Sequence, residues 1–163
     1  MNDYNPSNDE LEQAVASTEM DASLFKQEFI SGDKKAAVFA VAKHLIAQHH
    51  PKTIGGRNRE VLAYRGGMYV PGEDILKAEV QSLLEEACTV HYIKEIIEAV
   101  KNLTIIDRTD LKVETRFINL NNGVLNIETN TLTEHSPGFL FLNKIPADYA
   151  PEADCPTIKK YLS

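Results

Sequence analysis

The sequence has few cysteines and no long apolar run, and both features exclude classes of protein. Two cysteines, Cys88 and Cys155, are too few for a disulfide-stabilised secreted domain. No basic-then-apolar leader opens the sequence, so we expect reduced thiols and a cytoplasmic location. No apolar stretch approaches the roughly 20 residues that span a bilayer, so we expect no membrane partner.

The sequence also lacks a phosphate-binding loop. The Gly-Gly pairs at 55–56 and 66–67 are not followed by the Lys-Ser or Lys-Thr that cradles nucleotide phosphates. We therefore expect no ATP hydrolysis, no cofactor and no enzymatic activity from this chain.

No group of residues predicts a catalytic or metal site. Asp107 and Asp110 flank Arg108 in a polar connector, which is typical of a solvated loop. His44 and His49 are five residues apart, a spacing that does not stack them on one helix face, and no Cys or acid completes a ligand set. Neither cysteine has an obvious base partner nearby in sequence, so we expect structural or incidental thiols and not nucleophiles.

Charge is unevenly distributed along the chain. The formal net charge is −7, but six of the 24 acidic residues lie in the first 24 positions, which contain no Lys or Arg. The other 18 acids nearly balance the 17 bases. We interpret residues 1–22 as an acidic, disordered tail. A functional alternative is an arm that competes with DNA for a basic surface.

One internal segment is basic. Residues 34–65 hold seven basic residues and a single acid, Glu60. A basic hairpin with interleaved aromatic residues can follow a phosphate backbone and stack on bases. The candidate nucleic-acid-binding residues are Lys52, Arg57, Arg59, Arg65 and Tyr64. The alternative is a solubilising surface with core tyrosines.

Apolar spacing and capping residues predict helices over 23–30, 34–49, 73–87 and 90–103, with Asp33 and Thr89 as N-caps. The second of these is apolar on most sides, with Phe39 beside its main stripe, and should be central. Residues 53–59 are predicted to form a loop, followed by a hairpin that turns at Gly66-Gly67.

Residues 117–127 predict a second hairpin, because Asn122-Gly123 tolerates the positive φ angles of a tight turn. Turn signals recur at 128–131 and 136–138. After Pro156 a helix begins and the sequence stops, so we expect a fragment of a longer protein. The predicted fold is α+β: an acidic tail (1–22), a mainly helical part with an inserted hairpin (23–104), and an antiparallel β region ending in a truncated linker helix (105–163).

The β region also carries a resemblance. The segments INLNNGVLNIET (118–129), HSP (135–137) and PADYAPEADCP (146–156) resemble the domain that precedes the superfamily-three helicase module in phage- and plasmid-type primase–helicases. Poxvirus primase–helicases belong to the same broad family. The resemblance covers the chain from about residue 25 onwards.

The resemblance implies a non-catalytic module of a mobile-element replication protein, acting in ring assembly or in passing DNA to the ring. It implies a parent that is an ATP-dependent helicase and primase using ATP and Mg²⁺, none of which this chain would bind. The implied partners are DNA, the chain's own helicase domain and further copies of the full-length protein. The alternative is a stand-alone, winged-helix-like DNA-binding or interaction domain, although the order of helices and hairpin fits it poorly.

Overall fold

The computed structural model describes residues 23–30, 32–111 and 115–154. The acidic segment 1–22, the predicted helix after Pro156 and Cys155 lie outside these residues. The described part contains four α-helices and seven strands in two sheets, which confirms the α+β fold. Its contacts define two units: the first has the described residues up to Tyr64 together with Val70–Asp110, and the second has Arg65–Tyr69 together with the described residues from Leu111 onwards. The predicted domain boundary at 104/105 stays a prediction.

The first unit is built on helices. Residues 23–30 form α1, followed by α2 (Lys34–His49), α3 (Glu73–Leu84) and α4 (Val90–Leu103). Helix α2 packs against α4 and α3. The core they share is apolar and fully buried at its centre; its largest members are Leu45, Leu76, Leu84, Ile96, Val41, Val80 and Val100.

Side-chain caps begin two of these helices, as predicted. The Asp33 carboxylate accepts a 2.9 Å hydrogen bond from the backbone N–H of Lys35. The Thr89 hydroxyl accepts one of 3.2 Å from the N–H of Tyr92. Helix α3 ends three residues earlier than predicted, because Glu85 has a φ of 43° and a 3₁₀ turn (Glu85–Ala87) replaces the last turn.

The first sheet has four strands: β1 (Lys52–Ile54), β2 (Glu60–Arg65), β3 (Met68–Pro71) and β4 (Ile105–Ile106), in the order β3-β2-β1-β4. Strand β1 pairs antiparallel with β2 and parallel with β4. The predicted loop over residues 53–59 was therefore wrong for its first two residues. Thr53 and Ile54 are buried in β1, which forms because it has a partner on each side.

The second unit contains a three-stranded antiparallel sheet of β5 (Phe117–Leu120), β6 (Gly123–Asn126) and β7 (Thr131–Thr133). The predicted hairpin is present, but its turn residues are Asn121 and Asn122, since Leu120 pairs with Gly123. Of these turn-region residues Gly123 is the one with a positive φ, 147°. A Cβ there would lie 2.5 Å from the Thr133 carbonyl oxygen, so the glycine permits the close approach of β7.

None of the described helices combines the length and the apolar character needed to cross a membrane.

Candidate nucleic-acid interface

The loop of residues 55–59 joins β1 to β2 and carries two of the predicted DNA-binding arginines. At its start, the N–H of Gly55 donates a 2.9 Å hydrogen bond to the carbonyl of Ile106 in β4. Gly56 follows with a φ of 141°, a conformation that side-chain-bearing residues rarely adopt. The remaining residues, Arg57, Asn58 and Arg59, are all exposed to solvent. The loop is thus tied to the sheet at its base and presents its basic residues outward.

Arg59 is held in place by helix α4. Its guanidinium donates a 2.7 Å hydrogen bond to the side-chain oxygen of Asn102. It also lies 3.6 Å from a carboxylate oxygen of Glu98, so part of its charge is balanced within the protein. Among the described residues, no carboxylate lies at ion-pair distance from Arg57. Arg57 is therefore the loop arginine whose charge is less compensated.

Parallel pairing brings a third arginine to the same edge of the sheet. Ile54 in β1 pairs with Ile106 in β4, and both strands run in the same direction. Chain segments that follow parallel neighbours leave the sheet at one edge. Arg108, in the 3₁₀ turn Arg108–Asp110 after β4, accordingly lies near the loop that carries Arg57 and Arg59. We call these three residues the arginine edge.

An open cleft of about 460 Å³ lies beside the arginine edge. Arg59, Arg108 and the start of α3 all line it. Three acids, Glu60, Glu73 and Asp74, also line the cleft, so its charge is mixed. Glu73 accepts charge-assisted hydrogen bonds from Lys77 and Lys101, which hold the pKa of its carboxyl below the usual range. The outer surface of the arginine edge is more suited to a polyanion than the cleft itself.

Sequence reasoning missed Arg108, which it placed in a solvated connector. Asp107 and Asp110 do bond to each other there: the Asp107 N–H donates to the Asp110 carboxylate at 3.2 Å, and the Asp110 N–H donates to the Asp107 carbonyl at 2.9 Å. This turn fixes the backbone that carries Arg108. The apolar pair Ile105-Ile106 before it was the available signal, since two β-branched residues favour a strand.

The other predicted contact residues do not join this edge. Lys52 is half-buried at the start of β1, opposite Leu62. Tyr64 is half-buried, and desolvation raises the pKa of its phenol, which is typical of a packed tyrosine. Arg65 is exposed but ends β2 and belongs to the second unit.

Hydrogen bonds within the second unit hold the turn that follows Arg65. The Gly66 carbonyl accepts a 3.0 Å bond from the Lys144 ammonium, and the Gly67 carbonyl accepts one of 3.0 Å from the Asn119 amide. Tyr69 donates from its N–H to the Phe141 carbonyl at 2.7 Å and from its hydroxyl to the Pro137 carbonyl at 2.8 Å. These bonds tie the tip of the hairpin to the rest of the second unit.

Cys88 shows no sign of a reactive thiol. It is half-buried after the 3₁₀ turn, and desolvation raises the pKa of its thiol, which lowers the thiolate fraction. Within residues 23–30, 32–111 and 115–154, no group of three or more His, Cys, Asp or Glu side chains is placed to hold a metal ion.

Comparison with known families identifies the chain. The family model described as "D5 N terminal like" matches residues 25–163, which is most of the sequence. The chain belongs to this family. Its members are the domains that precede the superfamily-three helicase module in primase–helicases, so the resemblance noted in the β region is confirmed. The domain is distinct from the helicase module itself. No curated protein matches the chain.

Proposed function

We propose that this domain handles DNA in a primase–helicase of a mobile element, and that the arginine edge contacts the DNA backbone. Family membership supports a role next to a helicase module. The observation that carries the proposal is the parallel pairing of β1 with β4, which places two arginine-bearing segments at one sheet edge.

The chemistry of the arginine edge fits phosphate. A guanidinium offers several N–H donors in a fixed plane and binds phosphate oxygens in pairs. Arg57 and Arg108 are exposed, and among the described residues neither forms an ion pair. Arg59, held by Asn102, would position the loop and contribute less charge. Contacts of this kind bind DNA independently of its sequence.

Ring assembly is the other role that the family suggests. In that role the domain would act through its own helicase domain and through neighbouring copies in the full-length protein. ATP and Mg²⁺ would be bound by the helicase module, because the phosphate-binding loop that they require is absent from this sequence. The arginine edge favours DNA handling over a purely assembling role.

Fluorescence anisotropy with labelled DNA, in single-stranded and duplex form, tests the proposal. The Arg57→Gln, Arg108→Gln double variant should bind more weakly, and the slope of log affinity against log salt should fall by about 0.9 for each duplex phosphate that the variant no longer binds. Two controls sharpen the test. Arg65→Gln removes an exposed arginine outside the edge, and Lys94→Gln removes an exposed charge on α4; neither should change the slope.

Unchanged affinity in the double variant would reject the arginine edge as a DNA contact. The absence of DNA binding by the unaltered protein at low salt would reject DNA handling altogether and leave the assembly role.

A further inference from the structure

The outward face of α2 combines an exposed aromatic ring with two lysines. The Phe39 side chain is 51% exposed, although sequence reasoning placed it beside the buried stripe. Lys35 and Lys43 are also exposed and lie four residues before and after it. Four residues advance an α-helix by about 6 Å and return to nearly the same face. The three side chains therefore form one line along the helix, which we call the Phe39 face.

The charge of the Phe39 face is not balanced locally. Helix α2 contains no acidic residue. Among the described residues, no carboxylate lies at ion-pair distance from Lys35 or Lys43, whereas Lys77 and Lys101 are each paired with Glu73. Lys35 also lies in the first turn, where the helix dipole disfavours a cation. The Asp33 carboxylate already caps this N-terminus, and a bound anion would add charge pairing to Lys35 and Lys43 that the described residues do not supply.

The ring of Phe39 is flanked by small side chains as well as by lysines. Ala36 is exposed one turn before Phe39 and Ala47 is exposed two turns after it, whereas Ile46, on the same side of the helix, is half-buried. An apolar protein partner would require a row of large exposed apolar residues along this line, but Ile46 is half-buried against the core and lysines occupy the exposed positions. A flat aromatic face between two cations matches a single-stranded nucleic acid, which offers bases for stacking and phosphates for charge pairing.

We propose that the Phe39 face binds single-stranded DNA, with Phe39 stacked on an unpaired base and Lys35 and Lys43 paired with flanking phosphates. The proposal rests on the proposed function and deepens it, because it specifies the strand state that the domain handles. The Phe39 face and the arginine edge share no residue, so each can be removed without altering the other.

The test measures binding of a short fluorescein-labelled oligothymidylate across a salt series. Phe39→Ala should weaken binding about fivefold or more, the lower end of what a stacked base contributes. Its salt slope should stay unchanged, because no charge is removed. Phe39→Tyr keeps a ring and should retain the affinity. Leu103→Ala, which truncates another side chain that is 52% exposed, is the matched control and should have no effect.

The Lys35→Gln, Lys43→Gln double variant tests the two lysines in the same binding assay. The salt slope should fall by about 1.4, since each contact with a single strand contributes about 0.7. Lys94→Gln controls for a lysine removed elsewhere. Thermal unfolding of each variant confirms that the fold is retained.

Three results would overturn the proposal. In the first, Phe39→Ala leaves the affinity for oligothymidylate intact, whereas the Arg57→Gln, Arg108→Gln double variant weakens it. DNA handling would then not depend on the Phe39 face. Another is duplex DNA binding that matches single-stranded binding and also depends on Phe39, because stacking needs an unpaired base. The last is a change in oligomeric mass in Phe39→Ala with unaltered DNA affinity, which would assign the face to contact between copies.

Discussion

The hydroxyl groups of Thr53 and Thr104 lie 2.9 Å apart and join β1 to the end of α4. The direction of this hydrogen bond follows from a second one: the Thr104 hydroxyl donates its proton to the Val100 carbonyl at 2.8 Å. Because a hydroxyl has one proton, Thr53 must be the donor and Thr104 the acceptor. Thr53 is fully buried, so its proton has no access to water.

This direction predicts unequal effects of removing the two hydroxyls. Thr104→Val leaves the buried Thr53 donor without a partner and should lower the free energy of unfolding by about 1–3 kcal/mol. Thr53→Val removes the donor itself, leaves Thr104 bonded to Val100, and should lower it by about 1 kcal/mol or less. The double variant should lose less than the sum of the two. Urea unfolding measures all three, and a larger loss in Thr53→Val would contradict the assignment.

The ion pairs of Glu73 should make the free energy of unfolding depend on pH. Hydrogen bonds from Lys77 and Lys101 lower the pKa of this carboxyl from its ordinary value of 4.5. The ionised form is thus favoured in the folded state, so its stabilisation is complete at neutral pH and is lost as the pH falls below about 4.5. Because the side chain is 36% exposed, we expect Glu73→Gln to lower the free energy of unfolding by about 1 kcal/mol or less at pH 7.

The difference between Glu73→Gln and the unaltered protein should disappear in acid. Asp74→Asn is the matched control, since it removes another acid from the first turn of α3 but one that lies 3.9 Å from Lys77 and is fully exposed. Urea unfolding at neutral and acidic pH separates them. An effect of Asp74→Asn equal to that of Glu73→Gln would assign the stabilisation to the helix dipole alone.

Replacing Gly123 should destabilise the second unit locally. In Gly123→Ala the new Cβ would lie 2.5 Å from the Thr133 carbonyl oxygen, and the alanine would have to adopt a φ of 147°. We therefore expect the substitution to destabilise the sheet by about 1–3 kcal/mol. Gly138→Ala is the control, because its Cβ would lie 3.5 Å from the Ser136 hydroxyl, an ordinary contact. Hydrogen exchange of the β5–β7 amides measures the loss. Equal protection of these amides from exchange in both variants would show that β7 can shift away from residue 123 and relieve the clash.

Local side-chain chemistry was readable from the sequence. Asp33 and Thr89 cap their helices because their short oxygen-bearing side chains reach nearby N–H groups. The first hairpin turns at Gly66-Gly67, where the positive φ angles of 59° and 87° favour glycine.

Features that depend on distant pairing were not readable. Strand β1 has three residues, and its parallel partner β4 lies about fifty positions further along the chain. No local pattern encodes that pairing, so Ile54 was placed in a loop and Arg108 in a connector. Phe39 was misjudged for a related reason: α2 is apolar on most sides, and only its packing partners decide which apolar residue stays exposed.

The tip of the β2–β3 hairpin limits which fragments of the chain can fold on their own. Asn119 of the second unit donates to the Gly67 carbonyl and Lys144 donates to the Gly66 carbonyl, and both acceptors lie some fifty residues or more upstream. A polypeptide that starts at Leu111 would lose these acceptors together with the backbone partner of Phe141. We therefore expect the β region to be expressible as a stable piece only when residues 65–69 are supplied with it, in the same chain or as an added peptide.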